Sequence, residues 1–414
     1  MKKRIVITGM GAITPVGNNV NDTWAALLEG KNGIGPITYF DTSRYETRIA
    51  GEIKNFDPTE VMDKKEIRRT PLYIQFGLKA AKEAVEQSGI LHYAGLNKDR
   101  VAVLVGSGIG GISVTEEQLK ILNEKGPSRI SPFLIAMLIP NMASAFVSMK
   151  HGFRGPNMCI VTACATGTHS IGEGAKMIQR GDADVAVCGG TEGAITPLGL
   201  AGFQAARSLS TRNDDPEHAS RPFDKDRDGF VMADGAGMMV LESLEYAQAR
   251  GAKIIAEYAG YGASDDAFHM TAPAEDGGGA ILSMKNAIAD AGIGINDISY
   301  INAHGTSTVL NDKIESLAVR TLFGQQAYKV PISSTKSMTG HMLGGTGAVE
   351  AIVCAMSCVN NTIHQTRNFI QGGEGCDLDY VPNSKRVVEV NYALSNSFGF
   401  GGHNGSIIIK KFRQ

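Results

Sequence analysis

The chain has 414 residues, 43% of them apolar, with 50 glycines and a formal charge of −2; this suits two domains or one large duplicated core. Interleaved charges and a near-zero balance exclude the global positive field of a nucleic-acid binder. Six cysteines (159, 164, 188, 354, 358 and 376) without a Cys-x-x-Cys pair fit neither a disulfide scaffold nor a zinc site, and no run reaches the ~18 uninterrupted apolar residues of a membrane span.

Met1-Lys2-Lys3-Arg4 and the apolar residues after it mimic a secretory leader, but Thr8, Gly9 and Gly11 break the run early. The segment is expected to be a first strand and turn, and the protein to be cytoplasmic with free thiols and no membrane insertion. Ala84 to Ile90 closes a helix at Gly89, and Val101–Val105 forms a strand running into Gly106-Ser107-Gly108. That glycine loop satisfies G-x-G-x-x-G, yet 117–122 is helical where a dinucleotide fold needs a strand ending in an acidic residue. It is expected instead to line a tunnel, with Ile109 facing an acyl chain.

A strand around Cys159–Thr162 leads into Cys164 and a helix through Ile171, Ala175 and Met177, followed by the buried strand 185–188. Residues 208–234, rich in Asp, Arg and Gly, suggest a surface excursion. The order then recurs. A helix through Ile281, Met284 and Ile288 stops at Gly292, and a strand over 298–302 runs into His304. Another strand, 330–333, leads towards His341 and a helix through Val349, Ile352 and Ala355, and a last strand, 392–395, precedes Gly399, Gly401 and Gly402. Strands alternating with helices predict an α/β fold with two stacked halves, 1–250 and 251–414, each a mostly parallel sheet covered by helices. Their strand ends would share one cleft.

Three signatures sit at strand ends. Val161-Thr162-Ala163-Cys164-Ala165-Thr166-Gly167 places a thiol at the start of a helix, where unpaired N–H groups favour a thiolate and can hold an oxyanion. Asn302-Ala303-His304-Gly305-Thr306-Ser307-Thr308 offers a ring and three hydroxyls beside a glycine. Lys336-Ser337-Met338-Thr339-Gly340-His341 supplies a second ring, and Glu350 could neutralise Lys336. A cysteine and two histidines converging on one pocket are the equipment for thiol acyl transfer. Cys159, Cys188, Cys354 and Cys358 lie in strand or helix interiors and are expected to be structural.

These motifs, with the opening Val6-Ile7-Thr8-Gly9-Met10-Gly11, Arg221-Pro222-Phe223-Asp224, Asp228-Gly229-Phe230-Val231, His269-Met270-Thr271 and Asn396-Ser397-Phe398-Gly399-Phe400-Gly401-Gly402, resemble the elongating type II β-ketoacyl-[acyl-carrier-protein] synthases over essentially the whole chain. The resemblance implies a thiolase-type fold, a homodimer, and no cofactor beyond the phosphopantetheine that carries the substrates. It implies that Cys164 takes the acyl group, that His304 and His341 donate to the malonyl thioester carbonyl, and that the Cys164 and Phe400 N–H groups form the other oxyanion hole. Lys336 would set the electrostatics of the histidines, with Glu350, Asp312 and Glu315 behind them. Thr306 and Thr308 would contact pantetheine, Ile109, Thr271 and Phe398 the substrate, and Phe400 would gate the site. Lys65, Arg68 and Arg69, at helical spacing, and Arg207 would dock the acidic acyl carrier protein.

Val309, Asn311, Ala233-Asp234 and His403 depart from the family's usual proline, glycine, Gly-Glu and threonine. A degradative thiolase would need a second cysteine within 398–404, which holds none, and a non-catalytic chain-length subunit would lack Cys164. Fatty acid and polyketide elongation both remain open from the residues.

Overall fold

The computed structural model describes residues 2–413. Ten strands make one mixed sheet: β1 (Ile5–Ile13), β2 (Val101–Gly106), β3 (Asn157–Met158), β4 (Val185–Glu192), β5 (Gly235–Ser243), β6 (Ala256–Asp265), β7 (Tyr300–Asn302), β8 (Ile332–Ser333), β9 (Tyr392–Gly399) and β10 (His403–Lys410). Their order is β8-β7-β9-β10-β6-β1-β5-β4-β2-β3. Reading outwards from the central β1–β6 junction, the first and second halves repeat each other strand for strand.

In each half the outer three strands are parallel, β3-β2-β4 and β8-β7-β9. The inner pairings are antiparallel, so the sheets are more mixed than the strand–helix alternation suggests. The reason is local: β9 returns as β10 through the short turn around Phe400, and β4 returns as β5 after a longer excursion that holds the helix Pro197–Ala205, so in both halves the chain comes back antiparallel beside the strand it left.

Five helices build the layers: α1 (Leu72–Ser88), α2 (Thr166–Arg180), α3 (Gly278–Ala291), α4 (Val309–Phe323) and α5 (Thr346–Asn360). Helix α1 covers β1, β5 and β4 from outside, and α3 covers β6 and β10 in the same way. Both end, as expected, at a left-handed glycine, Gly89 (φ 65°) and Gly292 (φ 67°). Each lies directly on its strand because the strand offers glycines: a Cβ on Gly9 or Gly11 would sit 2.0 Å from a carbonyl oxygen of α1, and one on Gly262 the same distance from a carbonyl of α3.

Helices α2 and α5 touch each other and strands of both halves, so the sheet folds over at the short β1–β6 pairing, Ile5–Ile7 against Ala256–Tyr258, and encloses them. The run Leu343–Asn360 is apolar enough on average to pass for a membrane span, but 83% of it is buried in this central layer. Segment 208–234 is not the surface excursion its composition suggests. Its tip is exposed, whereas Arg221, Phe223, Asp224 and Phe230 to Asp234 are buried. Arg221 and Asp224 neutralise each other at 2.7 Å, which lets a charge-rich stretch run through the interior.

Candidate active site

Two matching elbows stand where the inner helices begin. The strand expected over 159–162 is shorter, β3 ending at Met158, and the chain continues unpaired to a 3-10 turn, Ala163–Ala165, that leads into α2. Cys164 is therefore in this turn and not in the first turn of α2 itself. The second elbow is Leu343–Gly345, leading into α5. Ala163 (φ 49°) and Leu343 (φ 45°) both take the left-handed conformation, strained for residues with a Cβ. The helices cross almost without clearance: a Cβ on Gly167 would stand 2.7 Å from the Ala348 nitrogen, and one on Gly347 2.9 Å from that of Thr168.

His304 follows β7, and its backbone N–H and that of Gly305 donate to the two oxygens of Glu315, at 2.8 Å each. His341 follows the single helical turn Lys336–Thr339. Its backbone is clamped by the buried limb of 208–234, donating to the Val231 carbonyl at 2.7 Å and accepting from the Ala233 N–H at 2.9 Å. One carboxylate and one extended segment thus fix the two rings, which meet edge to face at 5.4 Å.

The elements bring the sulfur and rings together. Cys164 Sγ lies 2.9 Å from His341 Nε2, and donor atoms of Cys164, His304 and His341 fall within 4.8 Å of one another, a grouping that suits a soft cation or a polarised carbonyl. The N–H groups of Phe400 and of Cys164 itself face the sulfur. Thr271, Thr306, Thr308, Phe398 and Phe400 line the same cavity of about 330 Å³, which reaches the surface beside Arg207. The Thr306 and Thr308 hydroxyls are 3.0 Å apart. Ile109 lies outside this channel, in an apolar cluster shared with Cys164, Phe203, Phe230 and Leu343.

Burial governs the titration of the site. It pushes the Cys164 thiol up to about 12, against the pull of Lys336 and the two N–H groups. The expected thiolate is thus a resting thiol, because desolvation outweighs the helix end. Burial, with the Lys336 cation, holds both His304 and His341 well below the usual imidazole range, so both rings are neutral at pH 7. His341 Nδ1 pairs with the Thr346 hydroxyl at 3.0 Å. A hydroxyl can donate or accept, so the ring can carry its proton on either nitrogen. His304 Nδ1 is buried without a partner among the described residues. Lys336 is 1% exposed and meets Glu350 Oε1 at 2.7 Å, as the sequence suggested. Asp312 accepts from the Phe223 N–H at 2.7 Å and faces Arg227.

Residues 2–247 match the model of the "Beta-ketoacyl synthase, N-terminal domain" and residues 255–370 that of the "Beta-ketoacyl synthase, C-terminal domain". The chain belongs to the β-ketoacyl synthase family. It is 52% identical over 412 residues, 100% of this chain and 99% of the relative, to the 3-oxoacyl-[acyl-carrier-protein] synthase 2 of Synechocystis sp.. The enzyme of the same name from Staphylococcus aureus is 52% identical over 410 residues, 99% of each chain. Among solved structures, a β-ketoacyl synthase from Burkholderia phymatum superposes with a TM-score of 0.91 at 32% identity, covering 99% of this chain and all of that one. A type II polyketide ketosynthase in complex with its acyl carrier protein, bound to the hexaketide, superposes with a TM-score of 0.92 at 32% identity over all of both chains.

In this β-ketoacyl synthase the structure adds residues that the sequence reading missed. Phe230 packs edge to face on His341 at 5.3 Å, and Phe203 lies 6.2 Å from Phe400. Thr346 and Glu192 were equally unmarked, although Thr-Gly opens both α2 and α5 and flags the second elbow. Among the basic residues, Lys65, Arg68 and Arg69 are exposed, but the helix there is one turn, Lys64–Ile67, with Arg68 at its cap. Arg69 stacks over Phe133 at 5.0 Å, while Arg207 is at the channel mouth.

Proposed function

We propose that the protein extends acyl chains in fatty acid synthesis as a 3-oxoacyl-[acyl-carrier-protein] synthase. The observation that carries this reading is one thiol and two neutral imidazoles converging at the end of a channel whose mouth admits a tethered substrate. The acyl thioester carbonyl enters the hole made by the Cys164 and Phe400 N–H groups. Sγ attacks, its proton passing to His341 Nε2 and on to the departing pantetheine sulfur. The acyl chain then lies beyond Ile109.

Malonyl thioester follows, its carbonyl oxygen between His304 and His341, both now donating. Breaking the carboxylate's carbon–carbon bond releases carbon dioxide and leaves the electron pair as an enolate held by those two donors. The enolate carbon attacks the Cys164 thioester carbonyl, the carbon–sulfur bond to Cys164 breaks to leave the β-ketoacyl product on the carrier, and the released thiolate takes a proton from solvent. Neutral rings suit this step, since an imidazolium would stabilise the departing carboxylate as much as the enolate.

The carrier is an acyl carrier protein, docking on Lys65, Arg68, Arg69 and Arg207, and its pantetheine arm runs past Thr306 and Thr308. The reading includes a homodimer in the cytoplasm with no cofactor of its own. Identity of 52% over full length to enzymes named for this reaction, against 32% to the polyketide ketosynthase, favours fatty acid elongation. The test is intact-mass analysis of wild type and Cys164→Ala with acyl-carrier protein, then malonyl-carrier protein. An adduct that needs Cys164 and is discharged as the extended β-ketoacyl product supports the reading. No adduct at any chain length overturns it in favour of a non-catalytic partner.

A further inference from the structure

The second elbow has an occupant. Glu192, the last residue of β4, is fully buried and its carboxylate receives four donors from two separate loops. Ser107 Oγ at 2.6 Å, the Gly108 N–H at 2.8 Å and the Ile109 N–H at 3.2 Å come from the tunnel loop. The Gly344 N–H, at 3.0 Å, comes from the elbow that follows His341. Gly344 is the repeat's counterpart of Cys164, and its N–H is the counterpart of the one that faces the reacting carbonyl in the first elbow. A carboxylate has no proton to offer, so four donors converging on it match the ionised form.

The match extends to the strands. At the end of β9, Gly399 lies against the first elbow, where a Cβ would stand 3.1 Å from the Cys164 nitrogen. At the end of β4 the equivalent place is taken by Glu192. One anion cradle is left open by a glycine; the other is filled from within. The filling carboxylate fits only because Gly108 and Gly344 are bare, since a Cβ on either would stand 2.9 Å from Glu192 Oε2. The same bond steadies Leu343, whose left-handed backbone is held only if its surroundings over-determine it.

We propose that Glu192 is a positioning residue that ties the acyl tunnel to the decarboxylation site. Through Ser107 to Ile109 it sets the wall against which the acyl chain lies, and through Gly344 it sets the loop that carries His341 and Leu343. Chain-length preference and the rate of condensation therefore rest on one buried anion. This builds on the function proposed above.

Glu192→Gln keeps the shape but turns an amide N–H₂ towards N–H donors, so at least one arm must let go. The assay measures kcat and KM with short-chain and long-chain acyl-carrier proteins, and Cys164 acylation by intact mass. A misplacement of about 1 Å can cost on the order of a hundredfold in rate. The expected result is a fall in kcat of on the order of ten- to a hundredfold, together with a shift in the long-to-short ratio of kcat/KM. A change in only one of the two, or in neither, overturns the coupling, and a merely structural role would lower the yield of folded protein without moving the ratio. If Glu192→Gln does not fold, Ser107→Ala loosens the tunnel arm alone and must still lower kcat; an unchanged kcat refutes the proposal. A wild type that condenses nothing would instead sink the proposed function, so the two failures are distinct.

Discussion

Replacing Lys336 by Met leaves Glu350 buried and alone, and the cost should depend on pH in a calculable way. The pair is made at 2.7 Å with both side chains inaccessible, and the second oxygen of Glu350 has no partner among the described residues. Removing one partner of such a pair costs about 3–5 kcal/mol where the other stays charged, and less where the lone carboxyl can take up a proton. Burial pushes the Glu350 carboxyl up to about 7 while Lys336 pulls it down, so without the lysine it rises further. Below pH 7 the carboxyl is then protonated in both proteins and the penalty stays level. Above pH 7 the wild-type group ionises and the variant's does not, and a folded-state pKa above the unfolded one loses stability as pH rises. The penalty should therefore grow by about 1.4 kcal/mol per pH unit above 7. Urea unfolding at several pH values would measure it, followed by the fluorescence of Trp24, the single tryptophan, which packs with Met338 and Val353 beside the pair. Lys336→Met with Glu350→Leu should recover most of the stability but not condensation. A penalty that is flat with pH, or no recovery in the double variant, would refute the reasoning.

Thr346→Val keeps the shape but leaves His341 Nδ1 buried without a partner, so kcat should fall by about tenfold or more with KM little changed, at a cost of about 1–3 kcal/mol; an unaltered kcat would show that the hydroxyl is not needed. Burial pushes Asp234 up to about 8, against the N–H groups of Ile195 and Ala194. Its folded-state proton stabilises at low pH, and that contribution is lost at about 1.4 kcal/mol per unit as pH rises towards 8. Asp234→Asn should gain on wild type by this slope between pH 5 and 8 and level off above, and parallel stability curves would count against it. Gly401 has φ 87° and faces the His403 ring, so Gly401→Ala should cost about 1–2 kcal/mol and slow turnover through the Phe400 turn, as measured by thermal unfolding and steady-state rates.

The grouping of Cys164, His304 and His341 was legible because each is marked by its neighbours in the chain. Cys164 stands three residues before Gly167 at the start of a helix, and His304 and His341 each adjoin a glycine, so small residues flag all three. What escaped was long-range. Composition marked 208–234 as exposed, because pairing of Arg221 with Asp224 is invisible without coordinates. The acidity of Cys164 was misjudged for a related reason: the helix end is readable from the chain, whereas the desolvation that outweighs it depends on everything folded around the sulfur. Glu192 went unnoticed because its four donors come from positions far away in the chain.

The crossing of α2 and α5 has a consequence for how such a protein can diversify. With Gly167 and Gly347 already in contact with backbone, the crossing has no room for a side chain, and any change there would be transmitted to both elbows at once. New substrate preferences must then arise from side chains lining the channel or from loops at its rim. A designer can then vary the rim and the channel side chains while leaving the helix crossing, and the Glu192 tie to the second elbow, as one rigid part.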